Sequence, residues 1–436
     1  MTTTKTWGWG RFPTVEGEVL VPRDVESVRA AVLGGSLTPR GLGRSYGDSS
    51  LGTRMLDLTE LDSFIAFNDQ TGELAVEAGV SLSEIIRVLL PRGWFLPVTP
   101  GTRFVTVGGA IASDVHGKNH HKDGTFADHV LSLDLLVASG EILTISPSSH
   151  PALFHSTCGG MGLTGVIVRA TVKLLKVNSR HVDETVVKAP SLDAALAAFE
   201  EYADTTYSVA WIDLLAKGEA LGRSLVMVGE HADDGDLEIG SDATIATVPF
   251  DVPASLLNPV SVRAFNTLYY ARIRQPILRH RVGFEPFFYP LDKAAEWNRL
   301  YGKQGLIQYQ LAIPFDSGAV LLREIVKRIS EAGLASPLAV LKVFGTANEN
   351  HLSFPIEGYT LALDFKATPS ALTLADELDR LVVEAGGRLY LTKDSRMSEA
   401  TFRASYDRID EFEAVRKQYG AAGVFVSEQS RRLGLE

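Results

Sequence analysis

Residues 100–121 read PGTRFVTVGGAIASDVHGKNHH, from Pro100 to His121. The stretch holds Gly101, Gly108, Gly109 and Gly117, a run of small residues at Ala110, Ala112 and Ser113, and a polar end with His116, Lys118, Asn119, His120 and His121. So few bulky side chains let a backbone approach something large and flat, with N–H groups free for anionic oxygens. Two further glycine clusters lie outward from it: Gly41-Leu-Gly-Arg-Ser-Tyr-Gly-Asp48 upstream, and Cys158-Gly-Gly-Met-Gly-Leu-Thr-Gly165 downstream. The first is not a G-x-G-x-x-G fingerprint, because no correctly spaced helix opens from it, and no G-x-x-x-x-G-K-[ST] loop occurs. One glycine loop is commonly a plain turn. Three in one half-chain, each beside Ser, Thr or Asn, point to a phosphate-bearing ligand with a flat ring, and a flavin fits.

The 436 residues exceed one core, so two domains are expected. A net charge of −11 with no basic run argues against a nucleic-acid surface. The single Cys158 permits no internal disulfide. MTTTKTWGWGRF has no apolar leader, so a soluble, cytoplasmic protein is expected, with membrane contact at most peripheral.

The first half alternates short strands and helices. A strand at 19–21 precedes a helix from Asp24, a plausible N-cap, to Leu33; strands follow at 55–58, 63–67 and 73–79, then a Ser81-capped helix to about Leu90 that Gly93 ends. A strand at 130–137 turns through Ser139-Gly140 into 142–145, and a helix at 151–155 leads to a strand at 166–175. The order is not regular enough for a doubly wound dinucleotide fold. Beyond about 177, helices at 191–202, 260–279, 319–332 and 370–385 intersperse with strands at 208–215, 307–313, 339–343 and 359–365. This is an α+β pattern, with the polar span 218–255 read as a mobile insertion or lid. The tail from Lys393 is expected to be helical, to end in a strand at 424–427, and to fold back on the front half.

Three groups carry chemistry. His116, His120 and His121 suit neither one helix face nor H-E-x-x-H, so no metal site is expected. Lys118 and His116 read instead as a cation and an imidazole near a flavin, with a polar surface loop as the plain alternative. Lys393, at the end of the strand-like 389–391 and beside Asp394 and Arg396, suits anion binding or proton transfer as well as a surface salt bridge. Gln308 with Gln310, and Lys342 with Phe344, alternate and so share strand faces, a polyol-binding surface if not merely solvent-facing.

Taken in order, the blocks 41–48, 100–121, 162–165, Pro290-Leu-Asp292, Glu296-Trp-Asn298, 308–310, Leu341-Lys-Val-Phe-Gly345, Leu352-Ser-Phe-Pro-Ile-Glu-Gly358, 387–396 and 424–433 resemble the decaprenylphosphoryl-β-D-ribose oxidase family, within the vanillyl-alcohol-oxidase-type flavoproteins. The resemblance implies an FAD-binding domain of two small α/β subdomains at 1–176, an antiparallel-sheet substrate domain covered by helices at 177–392, and a C-terminal segment, 393–436, returning to the first. It implies noncovalent FAD, since the covalent-histidine position of many relatives falls near Arg44-Ser45.

Implied FAD contacts are Gly41, Gly43, Arg44, Ser45, Tyr46, Gly47 and Asp48; Gly101, Thr102, Thr106, Gly108, Gly109, Ser113, His116, Gly117 and Asn119; then Gly162, Gly165, Ile167 and Tyr390. The implied substrate pocket is Tyr46, His116, Lys118, Gln308, Gln310, Lys342, Phe344 and Lys393, with Lys393 and His116 catalytic. The implied reaction oxidises the 2′-hydroxyl of a polyprenyl-phosphoryl ribose to a 2-keto sugar, which a separate NAD(P)H-dependent reductase then reduces. Two positions depart from the family: its pocket cysteine is Ala362 here, and its asparagine two positions earlier is Thr360. A soluble polyol or aldonolactone as substrate, and a non-catalytic flavin- or sugar-binding module, remain open on the residues.

Overall fold

The computed structural model describes residues 3–239, 246–253, 256–334 and 336–436. It is α+β, with three principal sheets. Two belong to the front half. A four-stranded sheet combines Thr3–Trp7, Thr14–Leu20, Arg54–Asp57 and Thr38–Arg40, the last three joined by parallel pairing. A five-stranded antiparallel sheet is built from Phe64–Asn68, Glu73–Glu77, Val166–Lys173, Val130–Leu136 and Ile142–Ile145. The third sheet has eight strands in the order 277–283, 181–189, 224–231, 207–212, 339–344, 358–366, 306–314 and 388–389.

Local chemistry sets several boundaries where the sequence places them. The Asp24 carboxylate accepts the Ser27 N–H at 2.7 Å and opens helix Val25–Leu33. Ser81 and Glu84 form a reciprocal capping box on Leu82–Leu89, and the chain leaves the following turn at Gly93, whose φ is 80°. Helices Leu192–Glu201, Phe315–Ala332 and Pro369–Glu384 cover one face of the large sheet. The tail returns to the front half, where Leu37 bridges Phe425 and the half-buried Arg432 pairs with the buried Asp48 at 2.8 Å.

Four segments differ from the sequence reading, the first being 424–427, which is no strand but a single bridge at Phe425 before helix Glu428–Arg432. The central stretch contains a short helix, Val107–Ala112, capped by Thr106. Its glycines suit close packing, since a Cβ on Gly108 would lie 3.0 Å from that of Ala78. The segment 260–279 is not one helix: Pro259–Ala271 is helical, but Pro276 lacks an N–H to continue it, and Ile277–Gly283 pairs as a strand with His181–Ala189. The span 218–255 is not simply an insertion. Its Ser224–His231 is an internal strand with Leu225, Val226 and Val228 buried; the polar residues after it gave the span its loop-like composition. Residues 240–245 and 254–255 of that span lie outside the described set.

Candidate active site

A cavity of about 1040 Å³ opens between the front-half loops 39–46 and 99–106 and the uncovered face of the eight-stranded sheet. That exceeds the roughly 300–1,000 Å³ of a pocket for one small ligand. The loop walls are almost bare backbone. Among the described residues, the N–H groups of Leu42, Gly43, Arg44, Ser45, Gly101 and Thr102 donate to no protein acceptor. A Cβ on Gly101 would meet nothing within 4 Å. Arg44, its guanidinium 4.1 Å from the Trp9 ring centroid, adds a cation to this wall. Free donors, a cation and open space fit a dinucleotide cofactor with an anionic pyrophosphate.

Strand register builds the opposite wall. Gln308 lies across from Asp364, Gln310 from Ala362, and Lys342 from Thr360. Alternation turns Gln308, Gln310, Lys342, Ala362 and Asp364 to the cavity, with the small Ala362 beside Gln310 leaving room in front of the sheet. Gln308 donates to Asp364 Oδ1 at 2.5 Å, while the buried Asp364 Oδ2 has no hydrogen-bond partner. Burial raises this carboxyl to about 7, with Gln308 and Lys393 opposing the rise. Burial lowers Lys393 to about 8, and its ammonium lies 4.0 Å from the Tyr46 ring centroid. The Tyr46 phenol, lining the same corner, is held far above its usual range by burial and then by Asp364.

His116 stands at the other end of this polar strip. Its Nε2 is 3.0 Å from the Gln310 amide nitrogen and its Nδ1 is 3.2 Å from Lys342 Nζ. Burial, and then Lys342, His120 and Lys393, hold the imidazole well below its usual pKa, so the ring is neutral. A neutral ring has one N–H. Gln310 and Lys342 take one ring nitrogen each, and which nitrogen carries the hydrogen follows from the orientation of the Gln310 amide. Phe344 packs edge-on behind the ring at 4.7 Å. The loop bearing His116 is tied down two residues earlier: Asp114 Oδ2 accepts Asn348 at 2.9 Å, Asn350 at 3.0 Å and Ser353 at 2.6 Å, joining the two halves of the molecule. Burial also lowers Lys118 to about 8; its ammonium bonds the Phe287 carbonyl and sits over that ring.

Lys393 and His116 therefore line one cavity, with Tyr46, Lys118, Gln308, Gln310 and Lys342. So do Gly41, Gly43, Arg44, Ser45, Gly101, Thr102, Thr106, Gly108, Gly109, Ser113, Gly117, Gly162, Gly165, Ile167 and Tyr390. Four expected residues do not line it. Gly47 packs on the tail, where a Cβ would come 1.8 Å from the Asp394 carbonyl oxygen. Asp48 is the partner of Arg432, Asn119 bonds Pro97 O at 2.8 Å and Asp123 at 2.6 Å, and Phe344 is a support behind His116. The other two histidines diverge from His116: His120 Nδ1 accepts the Gly345 N–H and His121 donates to the Thr205 carbonyl.

Sequence reading assigned no role to Asp364, whose only signal is its place in alternation with Ala362. It also missed the apolar lining of Val186, Trp211 and Met227, whose strands meet only in the folded sheet, and of Phe288 from helix Phe284–Phe288.

A family profile described as an FAD binding domain matches residues 18–146. The chain is 38% identical to decaprenylphosphoryl-β-D-ribose oxidase of Mycolicibacterium smegmatis, over 100% of this chain and 98% of that protein. It is 27% identical to D-arabinono-1,4-lactone oxidase of Yarrowia lipolytica, over 43% of this chain and 37% of that one. Against L-gulonolactone oxidase of Bos taurus it is 30% identical, over 38% and 36%.

Proposed function

The chain belongs to the FAD-binding flavoprotein family of decaprenylphosphoryl-β-D-ribose oxidase, and on that premise we propose that it oxidises the 2′-hydroxyl of a polyprenyl-phosphoryl ribose to the 2-keto sugar. FAD, when bound, supplies the two-electron acceptor for the C–H bond of a secondary alcohol. The free N–H groups of 42–45 and 101–102, with Arg44, would hold its pyrophosphate. It is held without a covalent bond: loop 41–45 carries no histidine or cysteine, Cys158 does not line the cavity, both ring nitrogens of His116 are engaged, and His280, the other lining histidine, bonds Glu184 at 2.6 Å.

The single observation that carries the reading is that Lys393 and Asp364 line the same buried corner of the cavity and act on each other's charge. Their ordinary values differ widely, yet burial brings them to about 8 and about 7. Between those values the pair holds one proton and can take a second. The hydroxyl proton passes to this pair, leaving Lys393 as ammonium against the oxygen that becomes the carbonyl, and Asp364 protonated. Gln308 fixes Asp364, His116 orients Gln310, Gln310 holds the sugar hydroxyls, and Lys118 binds the phosphoryl group. The apolar lining takes the start of the prenyl chain and excludes water. The keto sugar then leaves for a separate NAD(P)H-dependent reductase.

Anaerobic bleaching of the yellow protein tests this. A short-prenyl phosphoryl ribose should bleach it, and free ribose and D-arabinono-1,4-lactone should not. Bleaching by the lactone alone would move the assignment to aldonolactone oxidation, the reaction named for two partial relatives.

A further inference from the structure

Helix Pro259–Ala271 is amphipathic in the wrong sense for a helix lying on a soluble surface. Its buried face holds only Val262 and Asn266, the latter donating to Asp213 at 2.7 Å, while most of its apolar side chains turn outward. Val260 is 75% exposed and Leu268 73%, on one line of the helix with Ala264; Phe265 beside them is 45% exposed and Leu256, just before the helix, 62%. Nothing in the described chain covers this stripe. Contiguous exposed apolar side chains of this kind mark an interaction surface.

The charge around the stripe identifies the partner. The chain carries −11, yet between Asp251 and Glu285 there is no acidic residue, while Arg263, Arg272, Arg274, Arg279 and Arg281 all occur. Arg281 is neutralised by Asp183 and Asp234. Arg263, Arg272, Arg274 and Arg279 pair with no carboxylate among the described residues; Arg272 lies 3.9 Å over the Tyr269 ring. A helix with an apolar stripe, Arg263 within it, Arg272 at its C-cap and Arg274 just beyond suits the headgroup layer of an anionic bilayer. Two copies of this chain would oppose the same uncompensated arginines, which disfavours self-association through this face. The position is also telling. Phe265, Tyr269 and Arg272 of the same segment line the cavity, so the stripe runs into its mouth.

We propose that this face docks the protein on an anionic lipid surface, with Leu256, Val260, Phe265 and Leu268 inserted among the headgroups and the cavity opening toward the bilayer. The docking stands on the helix itself; its use, drawing a lipid-linked sugar straight from the membrane, rests on the reaction proposed above.

Flotation with phosphatidylcholine vesicles, with and without about a third phosphatidylglycerol, tests it. The wild-type holoprotein should float with the anionic vesicles and not with the neutral ones. The double variant Val260→Asp/Leu268→Asp, altered only at exposed positions that do not line the cavity, should lose binding by roughly tenfold or more, the loss of two partly inserted aliphatic side chains. Bleaching by a water-soluble short-prenyl substrate should be unchanged in the variant. Failure of that substrate to bleach either protein would overturn the reaction and leave the docking result to be read alone. No flotation of the wild type, equal flotation on neutral vesicles, or equal flotation of the variant would overturn the docking. So would a wild-type dimer in sedimentation that the variant dissolves, which would assign the stripe to a second copy.

Discussion

Replacing Lys393 with Met removes the ammonium while keeping an unbranched chain against Tyr46. The lowering of Lys393 from 10.5 to about 8 by burial is worth about 3 kcal/mol, the cost of holding a cation where little compensates it. A developing negative charge on the substrate oxygen supplies that compensation, so the ammonium is worth more in the transition state than in the ground state. Its loss should slow flavin reduction roughly 10²-fold, in line with the ~3–4 kcal/mol typical of one lost oxyanion donor. The assay is anaerobic stopped-flow bleaching under saturating substrate, with FAD content checked by visible absorbance. FAD content should be unchanged, because Met keeps an apolar chain of similar length against Tyr46. An unchanged bleaching rate in the FAD-loaded variant would refute the reasoning, and colourless variant protein would place Lys393 on the cofactor instead.

The pH dependence of bleaching should be bell-shaped, because the one-proton state of the Lys393–Asp364 pair exists above about 7 and below about 8. Activity rises as Asp364 loses its proton and falls as Lys393 loses its own; Asp364→Asn should abolish the rising limb, and a wild-type profile flat across this range would exclude the pair. Gly101→Val should give a folded but colourless protein, since a Cβ there meets nothing within 4 Å and the branched side chain fills cofactor space; full FAD content at unchanged melting temperature would contradict it. Asp114→Ala should lower stability by about 3–5 kcal/mol, a few buried donors left unpaired at about 1–3 kcal/mol each, measured as a lower urea midpoint.

Features whose cause is local were legible in the sequence. The caps at Asp24 and Ser81 and the stop at Gly93 depend on side chains within a few residues of the backbone they satisfy. The shared face of Gln308 and Gln310 follows from strand alternation alone. Features decided by distant partners were not legible. A helix with Gly108 and Gly109 in its first turn runs against propensity and forms because Thr106 caps it and Ala78 packs on it. Strand Ser224–His231 was masked by its polar surroundings, although two neighbouring strands bury it.

The same division explains why Asp364 received no role, although the run Leu363-Asp364-Phe365 alternates like those of Gln308 and Lys342. In the run Leu363-Asp364-Phe365 an acid between two apolar residues reads as an outward-facing strand position. Its meaning comes from register. Pairing with Gln308 fixes one carboxylate oxygen, burial leaves the other without a partner, and the tail delivers Lys393 to the same corner. A buried carboxylate left unpartnered in this way costs free energy that a purely structural site would have eliminated. Its persistence at the end of a cavity, with a lysine lowered toward the same range, is the physical reason to place proton transfer there rather than at His116, whose neutral ring is already occupied on both nitrogens.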